Sequence, residues 1–282
     1  MKKYAFVFLL VVVALGAWGQ LRVASYNVRL DHRGDSGNLW EDRRWALTEV
    51  IRYHDFDVFG TQEGFRHQLE DIQKALPQYA FYGRGRDDGK EKGEHAAVFF
   101  KKDRFRMLKQ GDFWLSETPE KPSMGWDGRC CHRICSWVQL QDTRSGRKFF
   151  VFNAHFDHEG VVARKESSKL ILQKIKEIAG GEPVVLTGDF NGGHESEWYG
   201  TLARSGVLKD TFRAAKRPYA LNGSFNGFGK ALTGKEIIDH IFTSSHFKVS
   251  KWALLTDTYH GKFPSDHFPV VTELRLDRTT KP

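Results

Sequence analysis

Short apolar runs of strand length recur along this chain. Most of them close on a polar cluster that a core could hold only if every group found a partner. This pattern constrains the fold more than composition does, because the runs must pair into sheets while their polar ends gather at a surface. Strands are predicted over residues 21–28, 57–61, 79–83, 95–100, 105–114, 183–187, 237–243, 248–255 and 269–276. Residues 136–140 and 148–154 read as a hairpin turned at 143–146. A helix is predicted over 41–54, where Leu47, Val50, Ile51 and His54 recur at helical spacing, and another over 65–76, stopped by Pro77. A third covers 161–179, with Ile171, Ile175 and Ile178 on one face and Gly180-Gly181 after it. Helices scattered among hairpin-linked strands favour an α/β fold of two packed sheets with helices outside over a purely parallel sheet.

At 282 residues, 40% hydrophobic and 28% charged, the chain excludes a disordered tail or a collagenous repeat and can bury a sizeable core without disulfides. With no repeat and no Pro/Ser-rich linker, residues 20–282 are expected to form one domain. Residues 1–19 stand apart: Lys2 and Lys3, an apolar run over 4–15, then Ala17-Trp18-Gly19 before Gln20. That order reads as a secretory signal peptide, so the expected location is secreted or periplasmic. No later apolar stretch approaches spanning length, and no integral membrane span is expected after signal removal. Loss of the two lysines takes the formal charge from +8 to +6. A mild basic excess suits phosphate esters, nucleic acid or anionic lipid without choosing among them. Lys and Arg are scattered, and the densest run, 90–109, also holds Glu91, Glu94 and Asp103, so a solvated face is favoured over a nucleic-acid groove. Cys130, Cys131 and Cys135 lack a fourth ligand at zinc-knuckle spacing; in an exported protein one pair can be oxidised, with one thiol left over. Oligomeric state is open at this point.

Six strand-end positions carry the chemistry. Asn27 and Arg29 lie two apart and project from one side of an extended backbone. Glu63 follows an apolar strand and suits a hard metal ion, which takes one or two carboxylates plus water. Asn153, His155 and Asp157 share a face, followed by His158. Asp189 can take a proton from water while Asn191 orients it. Asp239-His240 and Asp266-His267 each set an acid beside an imidazole. No Ser or Cys sits in a nucleophile elbow. Acid, amide and imidazole without such a nucleophile suit metal-assisted attack of water on a phosphoric ester. Arg29, Arg133 and Arg164 are further candidates for phosphate recognition, because a guanidinium grips such oxygens bidentately. Trp40, Trp114, Trp126 and Trp198 read as partly buried aromatics in preference to sugar- or base-stacking rings.

Taken in order, these motifs resemble the endonuclease/exonuclease/phosphatase superfamily, which includes deoxyribonuclease I, apurinic-site endonucleases, bacterial sphingomyelinases and inositol polyphosphate 5-phosphatases. The likeness runs over residues 21–276. More narrowly, the 27–29 and 155–158 motifs, the Gly-rich 222–229 segment with Phe225 and Phe228, and residues 264–267 resemble an uncharacterised secreted bacterial branch. The resemblance implies a deoxyribonuclease I-like four-layer α/β sandwich, two packed mixed β-sheets flanked by helices, with the site at one rim. It implies Glu63 as the main Mg²⁺ ligand (Mn²⁺ or Ca²⁺ as substitutes), with Asn27 and Asp266 in the metal and phosphate shell. Asp189 would activate water, assisted by Asn191; His267, held by Asp239, would bind the scissile phosphate; His155 would serve the leaving oxygen. DNA-gripping loops and a hydrophobic membrane hairpin have no evident counterpart, the roles of Asp157 and His158 are open, and His240 replaces an aromatic common among relatives. The expected activity is metal-dependent hydrolysis of a phosphomonoester or phosphodiester of a small organic alcohol. A secreted non-specific nuclease is the alternative, with nucleic acid a less favoured substrate, and a non-catalytic glycan-binding module ranks below it.

Overall fold

Residues 20–220 and 222–277 are described by a computed structural model; the signal peptide read from residues 1–19 lies outside them. In chain order the elements are β1 (Gln20–Asn27), α1 (Trp40–His54), β2 (Val58–Gly64), α2 (Arg66–Ala75), β3 (Tyr79–Tyr82), β4 (His95–Lys101), β5 (Phe105–Trp114), β6 (Ile134–Asp142), β7 (Lys148–His155), α3 (Val161–Ala179) and β8 (Val184–Asp189). They continue with α4 (Glu197–Ala203), β9 (Lys209–Asp210), α5 (Thr211–Ala214), β10 (Asp239–Thr243), β11 (Phe247–Leu254) and β12 (Val270–Leu276). The strands form two six-stranded sheets, ordered β11-β12-β1-β2-β4-β3 and β5-β6-β7-β8-β10-β9. Each sheet is mixed: a parallel central pair, β1–β2 or β7–β8, is flanked by antiparallel strands. The helices α1 and α3 are the crossovers of those two parallel pairs, which is why each covers the outer face of its own sheet. The expected four-layer α/β sandwich is the observed one.

Period-two alternation sorts the side chains into layers. Leu21, Val23, Val58, Phe149, Val151, Val185 and Ile241 point between the sheets and form the central core. Their sequence neighbours point outward: Ala24, Tyr26 and Phe59 meet Leu47, Ile51, Leu69 and Ile72 of α1 and α2. Phe150, Phe152 and Leu186 meet Ile171, Ile175 and Leu202 of α3 and α4. Along each central strand the inward side chains change from apolar to polar toward one end, as in Leu21, Val23, Ser25, Asn27 or Val185, Thr187, Asp189. The sandwich is therefore dry at one end and polar at the other.

Asn153 marks the boundary between the two regions. Its Nδ2 donates to the carbonyls of Thr61 (2.8 Å) and Ala97 (3.0 Å), and its Oδ1 accepts from Gln62 Nε2 (2.7 Å) and Thr187 Oγ1 (2.9 Å). One fully buried amide thus ties β7 to β2, β4 and β8. Gly60 is required beside it, since a Cβ there would come within 2.3 Å of both Asn153 Oδ1 and Thr187 Oγ1. Asn153→Ala strips partners from several buried groups at once and is expected to lower stability by about 3 kcal/mol. A lower urea midpoint with an unchanged slope is the readout.

Three short segments went unforeseen: α4, α5 and the two-residue β9. Cys130 and Cys131 form a disulfide and Cys135 is a buried thiol, a pairing the sequence leaves open. Arg164 lies 4.5 Å over the Trp198 ring and donates to the Asp157 carbonyl (2.9 Å), so it braces α3. No helix among the described residues is long and apolar enough to cross a membrane.

Candidate active site

The polar end of the sandwich opens into a cavity of about 710 Å³. The ends of β1, β2, β7 and β8 deliver Asn27, Glu63, His155 and Asp189 to it. Antiparallel neighbours begin at the same rim: Asp239, the first residue of β10, stands in register with Asp189, and His155 flanks Asp189 on the other side. The segment before β12 adds Asp266 and His267. Backbone strain concentrates here. Of seven described non-glycine residues with positive φ, four line the cavity: Arg29 (55°), Glu63 (66°), Asn191 (46°) and Phe228 (55°). At Glu63 the cause is visible. The β2–β4 register slips between Thr61 and Gly64, and this bulge turns toward the cavity a side chain that regular alternation would point at the helices.

The groups converge around two carboxylates. Asn27 Nδ2 donates to Glu63 Oε1 (2.9 Å) and Asp189 Oδ2 (3.0 Å), joining the two sheets. Glu63 Oε2 also accepts from the Leu30 backbone amide (3.2 Å). Asp189 Oδ1 accepts from the Asn191 amide (3.0 Å). Asn191 Nδ2 donates to the Phe156 carbonyl (3.0 Å) and lies 3.3 Å from His155 Nε2. His267 Nδ1 lies 2.8 Å from Asp239 Oδ2, and its Nε2 is 3.8 Å from Asp189 Oδ2. Ligand atoms of Glu63, Asp189 and His267 all fall within 4.8 Å of one another. Asn27, Arg29, Glu63, Arg133, His155, Asp189, Asn191, Asp266 and His267 thus surround one space, with Asp239 just behind His267. Arg29 stands between acids: it grips Asp35 through Nε (2.8 Å) and Nη2 (3.1 Å) and lies 3.7 Å from both Glu63 and Asp266. Arg133 is buried against Asp157 (3.3 Å) and His158 (2.7 Å). Asp157 itself accepts from the backbone amides of Glu159 (2.9 Å) and Gly160 (2.6 Å), so it holds Arg133 and shapes the turn into α3.

Burial and like charge separate the acids and imidazoles. Burial, reinforced by Asp239, pushes Asp189 up to about 7, against the pull of His267. Burial and the nearby Glu63 raise Asp266 to about 6, with His267 pulling the other way. Burial disfavours a charged His267, but Asp239, Asp189 and Asp266 outweigh it and hold the imidazole well above its ordinary value. His155 moves the opposite way, since burial, Arg133 and Arg86 hold it well below. One imidazole is therefore kept cationic and the other neutral.

Sequence reasoning missed Arg86 and Glu94. Arg86 Nη1 donates to Glu94 Oε2 (2.7 Å), its buried Nε has no partner, and both residues line the cavity. Glu94 lies 3.8 Å from His155 Nδ1, and burial pushes its carboxyl up to about 7 against the pull of Arg86. An acid directly before β4 could have signalled Glu94, since an antiparallel strand starts where its neighbours end. Arg86 sits in a glycine-punctuated loop and carried no signal.

Comparison with known proteins places this arrangement. The profile of the Endonuclease/Exonuclease/phosphatase family matches residues 24–267. A family member of that description from Bacteroides thetaiotaomicron is 47% identical with a TM-score of 0.89, covering 92% of this chain and 98% of its own. A Bacteroides thetaiotaomicron mannosyl-6-phosphatase is likewise 47% identical, with a TM-score of 0.88 over 90% of this chain and 99% of that one. An uncharacterised mimivirus protein, L388 of Acanthamoeba polyphaga mimivirus, is 29% identical over 82% of this chain and 91% of its own. Other curated relatives are longer, and the chain spans about a third to a half of them. The sheet order, the rim site and the span of the match together show that the chain belongs to the endonuclease/exonuclease/phosphatase family, whose members are phosphoric ester hydrolases.

Proposed function

We propose that this protein is an exported, divalent-metal-dependent phosphomonoesterase whose substrate carries its phosphate on a small polar alcohol such as a sugar. The observation that carries this reading is the pairing of a buried carboxylate, Asp189, with His267 across 3.8 Å at the floor of a cavity edged by Arg29, Arg86, Arg133 and Lys230. Guanidinium groups at that edge suit the oxygens of a phosphate group. The likeness to a mannosyl-6-phosphatase at 47% identity supports a sugar alcohol.

Glu63 and Asp266 offer oxygen donors on either side of Arg29, which lies 3.7 Å from each, and an all-oxygen set fits a hard ion such as Mg²⁺. When bound, the ion would supply neutralisation of charge on the phosphoryl oxygens. Asn27 orients Glu63 and Asp189 through the two bonds from its Nδ2. Asp189 takes the proton of the attacking water at its carboxylate, with Asn191 fixing that oxygen's orientation. His267, kept protonated against Asp239, donates to a phosphoryl oxygen from Nε2. The neutral His155 hydrogen-bonds on the leaving-oxygen side.

The test is phosphate release by the exported chain, starting at Gln20, from mannose 6-phosphate, bis-para-nitrophenyl phosphate and plasmid DNA. The expected kcat/KM is at least about tenfold higher on the monoester, with loss of activity on chelation restored by Mg²⁺. Comparable cleavage of DNA, or activity indifferent to the chelator, overturns the reading.

A further inference from the structure

We propose that His194, Asp210 and His240 form a second cation site, separate from the cavity and suited to Zn²⁺ in place of Mg²⁺. The site does not depend on the substrate reading above. His240 is the outward-facing neighbour of Asp239 in β10, so alternation directs it away from the catalytic face and into the space under α4. There it meets His194, from the loop between β8 and α4, with ring centroids 5.1 Å apart. Asp210 closes the group from β9, and one ligand atom from each of the three residues falls within 4.8 Å of the others.

Each side chain is prepared for a ligand in a different way. His240 Nε2 lies 2.9 Å from the Gly192 carbonyl, which can only accept. That contact places the proton on Nε2 and leaves the Nδ1 lone pair free, the backbone-carbonyl arrangement that commonly orients a metal-binding imidazole. His194 Nε2 is a buried nitrogen with no hydrogen-bond partner; its nearest acid oxygen, Asp210 Oδ2, is 3.6 Å away. Asp210 is 3% exposed, and no Lys or Arg among the described residues forms an ion pair with it. Its oxygens accept from Tyr199 Oη (2.8 Å) and the Phe212 amide (3.0 Å). A carboxylate this deep with no Lys or Arg beside it is a natural partner for a bound cation. Two imidazoles and one carboxylate are a zinc donor set, whereas Mg²⁺ prefers oxygen throughout. Zinc–ligand bonds of about 2.0–2.2 Å need the three atoms to draw together by roughly 1 Å, within reach of small side-chain rotations. His194, the most exposed of the three at 20% of its side chain, gives the ion its way in.

The position gives such an ion a structural role. Gly192 and His194 follow Asn191 in the chain, and His240 follows Asp239. An ion here would pin the loop that carries the water-side amide to the strand that carries the acid behind His267.

The experiment uses the full chain from Gln20, stripped with chelator, incubated with Zn²⁺ in a large excess of Mg²⁺ and desalted, with metal counted by mass spectrometry. We expect about one Zn²⁺ retained per chain in the parent and in Glu63→Gln, and loss of that Zn²⁺ in His194→Ala. Zn²⁺ absent from the parent, kept by folded His194→Ala, or lost with Glu63→Gln overturns the proposal. Should His194→Ala fail to fold, Co²⁺ added to Glu63→Gln protein in excess Mg²⁺ decides the matter. The intense visible bands of four- or five-coordinate, nitrogen-bound Co²⁺ support the site, and the pale spectrum of an octahedral oxygen-bound ion overturns it.

Discussion

Asp189→Asn is expected to lower kcat/KM for the phosphate ester by roughly a thousandfold, within the range for loss of a positioned base, while its melting temperature stays level with the parent or rises. The activity loss follows from proton acceptance. The variant keeps one oxygen that can accept from the Asn191 amide or from Asn27, but has no basic oxygen to receive the proton of water. The stability result follows from electrostatics and runs against the usual outcome for a buried polar residue. Burial and Asp239 raise the carboxyl of Asp189 to about 7, above its unfolded value. An acid raised on folding destabilises the native state increasingly as pH climbs past the unfolded value and toward the folded one. An amide at this position removes that penalty near neutral pH. Rate and melting curves measured on the same samples separate the two effects: a loss below about tenfold, or a clear fall in melting temperature, argues against a strained base. Residues kept at the expense of stability mark function, and Asp189 is expected to behave as one of them.

What the sequence could disclose was what depends on alternation. The inward faces of β1, β7 and β8 run apolar to polar in steps of two, so Asn27, His155 and Asp189 were readable as strand-end polar residues, and the strands themselves were placed within a few residues. Glu63 was reached by its position after the strand, but alternation alone would have favoured Gln62. Gln62 does point inward, where it binds Asn153, and only the bulge and the left-handed backbone at Glu63 bring the acid round. Nothing local encodes that slip in register. Glu94 and Arg86 escaped for a topological reason, because strand starts become site positions only once the antiparallel partner is known. The short α4, β9 and α5 escaped because segments of seven, two and four residues carry too little periodicity. His240 stands, by the resemblance, where relatives commonly carry an aromatic, and the sequence alone gives it no partner. Its surroundings, His194, Tyr199 and Asp210, come from parts of the chain whose folding those short elements decide.

His267→Ala is expected to lower kcat/KM by roughly a hundred- to a thousandfold, the usual effect of removing one oxyanion donor, and Asp239→Ala by somewhat less. The informative quantity is their combination. Asp239 approaches His267 Nδ1 at 2.8 Å and is the first of the acids that hold the imidazole cationic against the cost of burial. If Asp239 acts only through the histidine, the double variant should be no slower than His267→Ala alone, so the two effects are far from additive. If Asp239 instead shapes the cavity directly, or acts mainly by raising Asp189, the double variant should be slower by the full product. Stability adds an independent reading. His267→Ala leaves Asp239, fully buried and with Oδ1 already unpartnered, as an uncompensated charge, whereas the double variant removes both ions. His267→Ala should therefore melt below the double variant, the order expected when half of a buried ion pair is left behind. Rescue of stability without rescue of rate would mark the Asp239–His267 pair as a device for keeping one proton in place, and equal melting of the two variants would show that the acid does not depend on its partner.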